Sequence, residues 1–218
     1  MHKIKVWDNY TRLYHLSQLC LLALLWYSAD NAYFELHFVC GFILAGLWIS
    51  RIVWGFMGSE TSRFNHFVRS PITVIQAWRN NRISQPHIGH NPVGGYMVIA
   101  LLITLMVQII SGLFATDDVF AEGPLYGFAS EKVATYMDSL HSSNFDVLLG
   151  LIAVHALAGV FHVMRGDNVI ASIVTGYKKS SDFNHNLQPQ LKSVLTPLFI
   201  WFSSAGALYY FAIEFSSY

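Results

Sequence analysis

The residues most able to do chemistry in this sequence are its histidines, of which there are ten. Five lie within long apolar stretches or at the start of one, namely His15, His37, His141, His155 and His162. An ionisable side chain at membrane depth is expensive and marks function by default. Such an imidazole serves as a hydrogen-bonded core residue, as a proton relay, or as a ligand of a metal or haem iron. The other five, His2, His66, His87, His90 and His185, fall in predicted loops and tails.

The spacing of four histidines predicts two sites at different depths. His141 and His155 are 14 residues apart, which is about 21 Å along a helix and close to four turns, so both face nearly the same way. His15 and His37 lie on consecutive predicted spans and differ in depth by about 20–23 Å. We therefore predict that His37 lies opposite His141 and that His15 lies opposite His155.

A competing arrangement would use His155 together with His162. These two residues are separated by only about 10.5 Å of helix axis, and two stacked macrocycles would collide at that distance. A bare zinc or iron ion would tolerate it, but the depths would no longer match those of His15 and His37. We assign His162 a secondary role, as a contact to a haem propionate or a quinone. The alternative is a hydrogen-bonded histidine at the membrane interface.

A flat macrocycle between helices also needs room and counter-charges. Gly41, four residues after His37, and Gly112 in the third span would let a flat ring approach the backbone. Close packing of helices through small residues is the alternative. Arg12, Arg51 and Arg165 lie at the inner ends of spans, where guanidinium groups suit haem propionates. The general excess of basic residues on the cytoplasmic side explains them equally well.

The elements that position these residues are predicted membrane spans. The chain of 218 residues is 54% hydrophobic and 12% charged, with zero net charge, and its mean hydropathy is +0.41. These values exclude a soluble domain, a disordered chain and a nucleic-acid binder. Cys20 and Cys40 provide no C-x-x-C-H motif, which excludes covalently attached haem. Five stretches are long enough to cross a bilayer, approximately 13–29, 36–57, 93–115, 145–164 and 194–213.

Charge sets the predicted orientation. Apart from Lys132, the 13 basic residues precede the first span, lie at the end of the second or in the loop after it, or follow the fourth. The positive-inside rule therefore places the N-terminus in the cytoplasm, and five spans then place the C-terminus outside. The segment after Pro71, which mixes apolar residues with Arg79 and Arg82, is typical either of an interfacial helix on lipid headgroups or of an ordinary basic loop.

The chain resembles the bacterial integral-membrane di-haem cytochromes b, a family that includes the cytochrome b subunits of nickel–iron hydrogenases. The resemblance covers roughly residues 4–178. It is carried by VWDNYTRLYHL around His15, ELHFVCG around His37, GHNPVGGYM before the third span and SLHSSNFDVLLGLIAVHALAGVFH in the fourth. It implies an all-α four-helix transmembrane bundle over 1–178 in the bacterial inner membrane, with the C-terminus of the five-span chain in the periplasm. The linker and the additional transmembrane helix over 179–218 depart from the four-helix core of the family.

The resemblance also implies a set of ligands and partners. By position, His15, His37, His141 and His155 become the axial ligands of two haems b. Electrons would pass between the quinone pool and a redox partner at the outer face, either a hydrogenase or a periplasmic c-type cytochrome. Bis-histidine ligation leaves no open iron position, so it favours electron transfer over substrate chemistry. The acidic residues Asp117, Asp118 and Glu122 would attract a basic partner, although outer loops are also acidic merely because basic residues are excluded there.

Two functions of other classes stay open from the residues alone. A metal-ion transporter would line its path with the same histidines. A structural anchor subunit would bond them to serine and threonine hydroxyls within the membrane.

Overall fold

The computed structural model describes residues 3–80, 88–117, 121–179 and 188–216, the side chains of 77, 78, 215 and 216 excepted. Eight α-helices lie in these ranges: α1 (Asn9–Asp30), α2 (Phe34–Met57), α3 (Phe64–Phe67), α4 (Pro71–Arg79), α5 (Pro92–Gly112), α6 (Glu131–Met164), α7 (Val169–Thr175) and α8 (Leu195–Ser216). Two short strands, β1 (Lys3–Lys5) and β2 (Tyr177–Lys179), complete them. His2, Arg82, His87, Asp118 and His185 lie outside the described residues.

Four of these helices, α2, α5, α6 and α8, are long and apolar enough to cross a membrane. The predicted fold class, an all-α integral membrane protein, is therefore confirmed. Helix α1 has 22 residues, a sufficient length, but His15, Ser17 and Gln18 lower its hydropathy below that of the other four. The count of five crossings, the bundle and the orientation of the termini remain predictions.

The predicted spans match the observed helices closely, with one exception. The bounds of α2, α5 and α8 lie within three residues of those predicted. Helix α6 begins at Glu131, so the predicted start at Phe145 was wrong. The residues from Asp138 to Asp146 are mostly polar, and a hydropathy criterion cannot distinguish a polar extension of a helix from a loop. His141 consequently lies well inside a helix.

A capping side chain stands before each of α1 and α5, two of the helices that carry predicted site residues. The Asp8 carboxylate accepts a hydrogen bond from the backbone N–H of Thr11 at 2.6 Å, which satisfies one of the free donors at the start of α1. Asn91 does the same for α5, accepting from Gly94 N at 2.6 Å. Pro92 follows as the first residue of α5, a position where its missing N–H costs nothing.

The chain divides into two compact units. The first, here called unit 1, comprises Met1–Leu16, Arg51–Ile99 and Ala153–Leu198. In it β1 pairs antiparallel with β2, with Ile4 opposite Lys178, and Ile4, Val6 and Trp7 form a buried apolar cluster. The buried ammonium of Lys178 lies 2.7 Å from an Asp167 carboxylate oxygen. The small sheet was not predicted. Its strands have three residues each and lie far apart in the chain, so neither shows a recognisable alternation of apolar and polar residues.

The second unit, unit 2, comprises Ser17–Ser50, Ala100–Ile152 and Phe199–Tyr218. Its α2 and α8 segments pack through Gly46, where an added Cβ would lie 2.7 Å from the Cβ of Ala205. Trp201 donates from its indole to the carbonyl of Ile43 at 3.0 Å. Gly46 thus serves close helix packing of the kind common in membranes. The predicted boundary between 178 and 179 remains a prediction.

Candidate metal centre

Two pairs of imidazole rings face each other, one in each unit. In unit 1 the ring centroids of His15 on α1 and His155 on α6 lie 6.3 Å apart, with 46° between the ring planes. In unit 2 the centroids of His37 on α2 and His141 on α6 lie 6.4 Å apart, with 77° between the planes. These are the two pairs that the spacing of the histidines along the helices predicted.

The spacing within each pair fits a metal held from both sides. A bond between an imidazole nitrogen and a first-row metal is about 2 Å long. Two such bonds, together with the distance from nitrogen to ring centre, place the centroids roughly 6 Å apart. A protein-bound ion usually takes three or four side-chain ligands, whereas the described residues contain no group of three or more His, Cys, Asp or Glu suited to a metal. Two facing imidazoles are a set that can ligate a haem iron from both sides.

The unit 2 pair is oriented by hydrogen bonds to ring nitrogen Nδ1. His37 Nδ1 lies 3.1 Å from the carbonyl oxygen of Leu25 and 3.2 Å from the hydroxyl of Ser28. His141 Nδ1 lies 3.0 Å from the carbonyl oxygen of Gln108 and 3.2 Å from the hydroxyl of Ser111. An Nδ1–H that donates to a carbonyl leaves the lone pair on Nε2, which is the tautomer that a metal needs.

The unit 1 pair has no such support. Among the described residues, neither ring of His15 and His155 makes a hydrogen bond. Within the described residues, the orientation of the unit 1 imidazoles therefore depends on van der Waals contacts.

Gln108 and Asn144 are polar residues at this site that the sequence reasoning missed. Asn144 on α6 donates to the Gln108 side-chain oxygen at 2.6 Å and to the Thr104 carbonyl at 3.1 Å. The Gln108 amide nitrogen donates in turn to the carbonyl of His141 at 3.0 Å. The available signal was a glutamine in the middle of an apolar span, which is costly unless it has partners.

The two glycines expected to make room have different surroundings. A Cβ added at Gly41 would meet nothing within 4 Å, so the helix face that carries His37 is open there. A Cβ added at Gly112 would lie 2.7 Å from Cε1 of His141. The ring that approaches the Gly112 backbone is thus the His141 imidazole.

The three predicted arginines differ in their surroundings. Arg12 donates from its guanidinium to the carbonyl of Val174. Arg51 is only 3% exposed and donates to the carbonyl of Ser62 at 3.3 Å, with its guanidinium 5.3 Å from the ring centre of Phe64. Arg165 is exposed and lies over the ring of Phe161. A buried guanidinium normally has an anionic partner. The buried Asp8 carboxylate already contributes one negative charge near Arg51, and a propionate is the candidate for a second.

Two further histidines of unit 1 have a buried ring nitrogen without a hydrogen-bond partner among the described residues, Nδ1 in each case. His162 Nε2 lies 2.8 Å from the side-chain amide nitrogen of Asn91, which donates, so the proton of His162 is on the unpartnered Nδ1. His90 packs against the rings of Trp7 and Phe67. Burial, reinforced by the nearby charge of Arg51, lowers the pKa of His90 to about 3.

Apolar helices that carry two facing pairs of histidines define a membrane protein of the cytochrome b class. The family model of prokaryotic cytochrome b561 matches residues 6–176, and the chain belongs to this family. The chain is also similar to a probable Ni/Fe-hydrogenase B-type cytochrome subunit of Bradyrhizobium diazoefficiens, with 24% identity over 169 residues. That match covers 67% of this chain and 66% of the relative, just under two thirds of its length. No solved structure matches the chain.

Membership confirms the resemblance. As a member of this family the protein is a b-type cytochrome, and its cofactor is haem b. This favours the redox interpretation over a metal-ion transporter or a purely structural anchor. The number of haems, their ligands and the redox partners are separate questions.

Proposed function

We propose that the protein holds two haems b, one between His15 and His155 and one between His37 and His141, and moves electrons between a quinone and a redox partner at the opposite membrane face. The observation that carries the proposal is the pair of ring separations, 6.3 and 6.4 Å. A haem with two imidazole ligands supplies reversible one-electron chemistry and no open iron position for substrate. The protein residues hold the imidazoles, offer counter-charges and exclude water.

The contributions of the chain's own groups follow from their contacts. The carbonyls of Leu25 and Gln108 fix the tautomers of His37 and His141. Arg51 offers a buried positive charge to a propionate in unit 1. Arg12 and Arg165 each have guanidinium N–H groups that make no hydrogen bond within the described part of the chain, and these would serve the same purpose. Gly41 leaves open space beside His37.

The test is the haem content and visible spectrum of the purified protein and of single histidine variants. We expect two haems b per chain, and loss of about half of the b-type absorbance on changing His15, His37, His141 or His155 to Ala. His66→Ala is the matched control, because His66 faces Glu60 at 3.6 Å on a partly exposed surface. One haem per chain, or full haem in His141→Ala, contradicts the proposal.

For the quinone we propose a position beside His162, with His90 and Arg165 of the same unit as further contacts. The supporting observation is that the protonated Nδ1 of His162 is buried and has no acceptor among the described residues. Such a donor is costly unless a ligand oxygen accepts from it, and a quinone carbonyl is one such oxygen. A haem propionate is the other.

The two acceptors are distinguished by a His162→Phe variant. If a quinone accepts from His162, we expect the variant to keep both haems and their potentials but to be reduced by a quinol at least several-fold more slowly, measured by stopped-flow absorbance in liposomes. A lost haem or a shifted potential, with normal reduction by quinol, assigns His162 to a propionate and contradicts the quinone position.

The partner at the outer face is proposed by analogy with the hydrogenase subunit of Bradyrhizobium diazoefficiens. A hydrogenase and a periplasmic c-type cytochrome are the two candidates. Thr116, next to Asp117, forms an isolated antiparallel bridge with Glu122. Acidic groups there would speed encounter with a basic cytochrome in a salt-dependent manner. An electron-transfer rate that does not change with ionic strength contradicts the cytochrome.

A further inference from the structure

We propose that Gln108, held in place by Asn144, is a positioning residue that orients His141 and raises the reduction potential of the haem bound by that histidine. The inference rests on the proposed function, because it requires His141 to be an axial ligand. It assigns a role to two polar residues of the apolar region that neither the ligand set nor the propionate contacts use.

The first step is that Gln108 contacts His141 with both its main chain and its side chain. Its main-chain carbonyl lies 3.0 Å from His141 Nδ1. Its side-chain nitrogen donates to the main-chain carbonyl of His141 at 3.0 Å. The same nitrogen lies 3.3 Å from Nδ1 and 3.2 Å from Nε2 of the ring. Because iron would take the Nε2 lone pair and Nδ1 donates to the Gln108 carbonyl, this amide acts on the ring through its partial charge and not through a hydrogen bond. One residue on α5 therefore fixes both the backbone and the imidazole of the ligand on α6.

The second step is that the Gln108 side chain is itself held from α6. Asn144, three residues after His141 and thus on the same side of the helix, donates to the Gln108 side-chain oxygen at 2.6 Å. Its second amide hydrogen goes to the Thr104 carbonyl at 3.1 Å. With its oxygen occupied in this way, the Gln108 amide is turned so that its N–H groups point towards His141.

The third step is electrostatic. An amide N–H carries partial positive charge, and its effect is large where the surroundings are apolar. A haem that accepts an electron becomes less positive, so a positive dipole beside its ligand favours the reduced state. Removing the Gln108 amide therefore lowers the potential of this haem. Hydrogen bonds around a ligand are a recognised means of tuning a metal site.

The structure offers no equivalent for the other pair. Neither His15 nor His155 makes a hydrogen bond among the described residues. We therefore expect the effect of Gln108 to be confined to one of the two haems, which a general loosening of the helices would not produce.

The experiment is a redox titration of the intact haem-loaded protein with Gln108→Met, Asn144→Leu and the double variant. For Gln108→Met we expect an about three- to tenfold smaller equilibrium constant for reduction of one haem, where tenfold is about 59 mV for one electron. Asn144→Leu should shift the same haem in the same direction. Because Asn144 acts through Gln108, the double variant should match Gln108→Met alone.

Two controls separate positioning from packing. Ile110→Met changes an exposed, lipid-facing residue of the same helix and should leave both potentials unchanged. If Gln108→Met does not fold or does not bind haem, the potential shift in Asn144→Leu tests the positioning role instead. Unchanged potentials in haem-replete variants, equal shifts of both haems, or additive shifts in the double variant overturn the inference. If His141→Ala keeps all its haem, it is the proposed function that fails.

Discussion

The two histidine pairs have nearly the same separation but are held in different ways. In unit 2, each imidazole is fixed through Nδ1 by a backbone carbonyl and a serine hydroxyl. In unit 1, the rings of His15 and His155 lie just as close without a hydrogen bond among the described residues. The comparison indicates that similar ligand geometry arises either from a preorganised polar network or from packing alone. Only the first supplies a means of tuning the metal through neighbouring groups.

Charged groups show the reverse distribution from the hydrogen bonds, since they are concentrated in unit 1. Unit 1 contains the buried cation Arg51 and the buried ion pair of Lys178 and Asp167, together with His90. Around His37 and His141 the hydrogen-bonding groups are neutral amides, carbonyls and hydroxyls, and the Asp138 carboxylate acts on His141 only through its charge. If each pair holds a haem as proposed, buried charge would have the larger influence in unit 1 and dipoles the larger influence in unit 2.

The largest difference between the two histidine pairs is expected in haem binding, when a glycine near each pair is replaced by alanine. In Gly112→Ala, the new Cβ would lie 2.7 Å from Cε1 of His141, and something must shift. Overpacking of this kind costs about 1–3 kcal/mol, or roughly 5- to 150-fold weaker haem binding in unit 2.

The matched variant is Gly159→Ala, four residues after His155, where the nearest atom to a new Cβ is 3.8 Å away on Ile170. We expect it to retain normal haem content in unit 1. Haem content after dilution into apo-myoglobin as a haem acceptor measures both variants. Equal loss from the two proteins would show that the His141 ring is no more confined than that of His155.

A smaller effect is expected in the pH dependence of folding stability, and it should originate from His90 in unit 1. The pKa of His90 is about 3, well below its ordinary value of about 6.5. Below pH 6.5 the unfolded chain therefore takes up a proton that the folded protein does not. His90 thus lowers stability as the pH falls towards 3, by at most about 1.4 kcal/mol per pH unit. Above pH 6.5 it has no such effect.

His90→Phe should remove that contribution, since a phenyl ring suits the neighbouring Trp7 and Phe67. Thermal unfolding in detergent from pH 7 to pH 4 should show a shallower decline for His90→Phe than for the parent protein. His66→Phe, at a partly exposed position, is the control. If the two variants decline in parallel with the parent, His90 is not the source of the acid sensitivity.

Much of the framework was predictable because it depends on local sequence. The length and apolar character of α2, α5, α6 and α8 follow from runs of hydrophobic residues, and the starts of α1 and α5 follow from single capping residues. The start of α6 was not predictable in this way. Its first turns are polar, and helical hydrogen bonds form there regardless of hydropathy.

The sequence by itself determined a helical membrane protein and the pairing of four histidines, because hydropathy and helical rise are local properties. Its motifs also resembled the cytochrome b family to which the chain belongs. The tertiary structure alone decided the rest. It set Gln108 and Asn144 against His141, used Gly112 to make room for an imidazole, and paired β1 with β2. Each of these depends on contacts between segments far apart in the chain, and the periodicity of one helix carries no information about the helix it packs against.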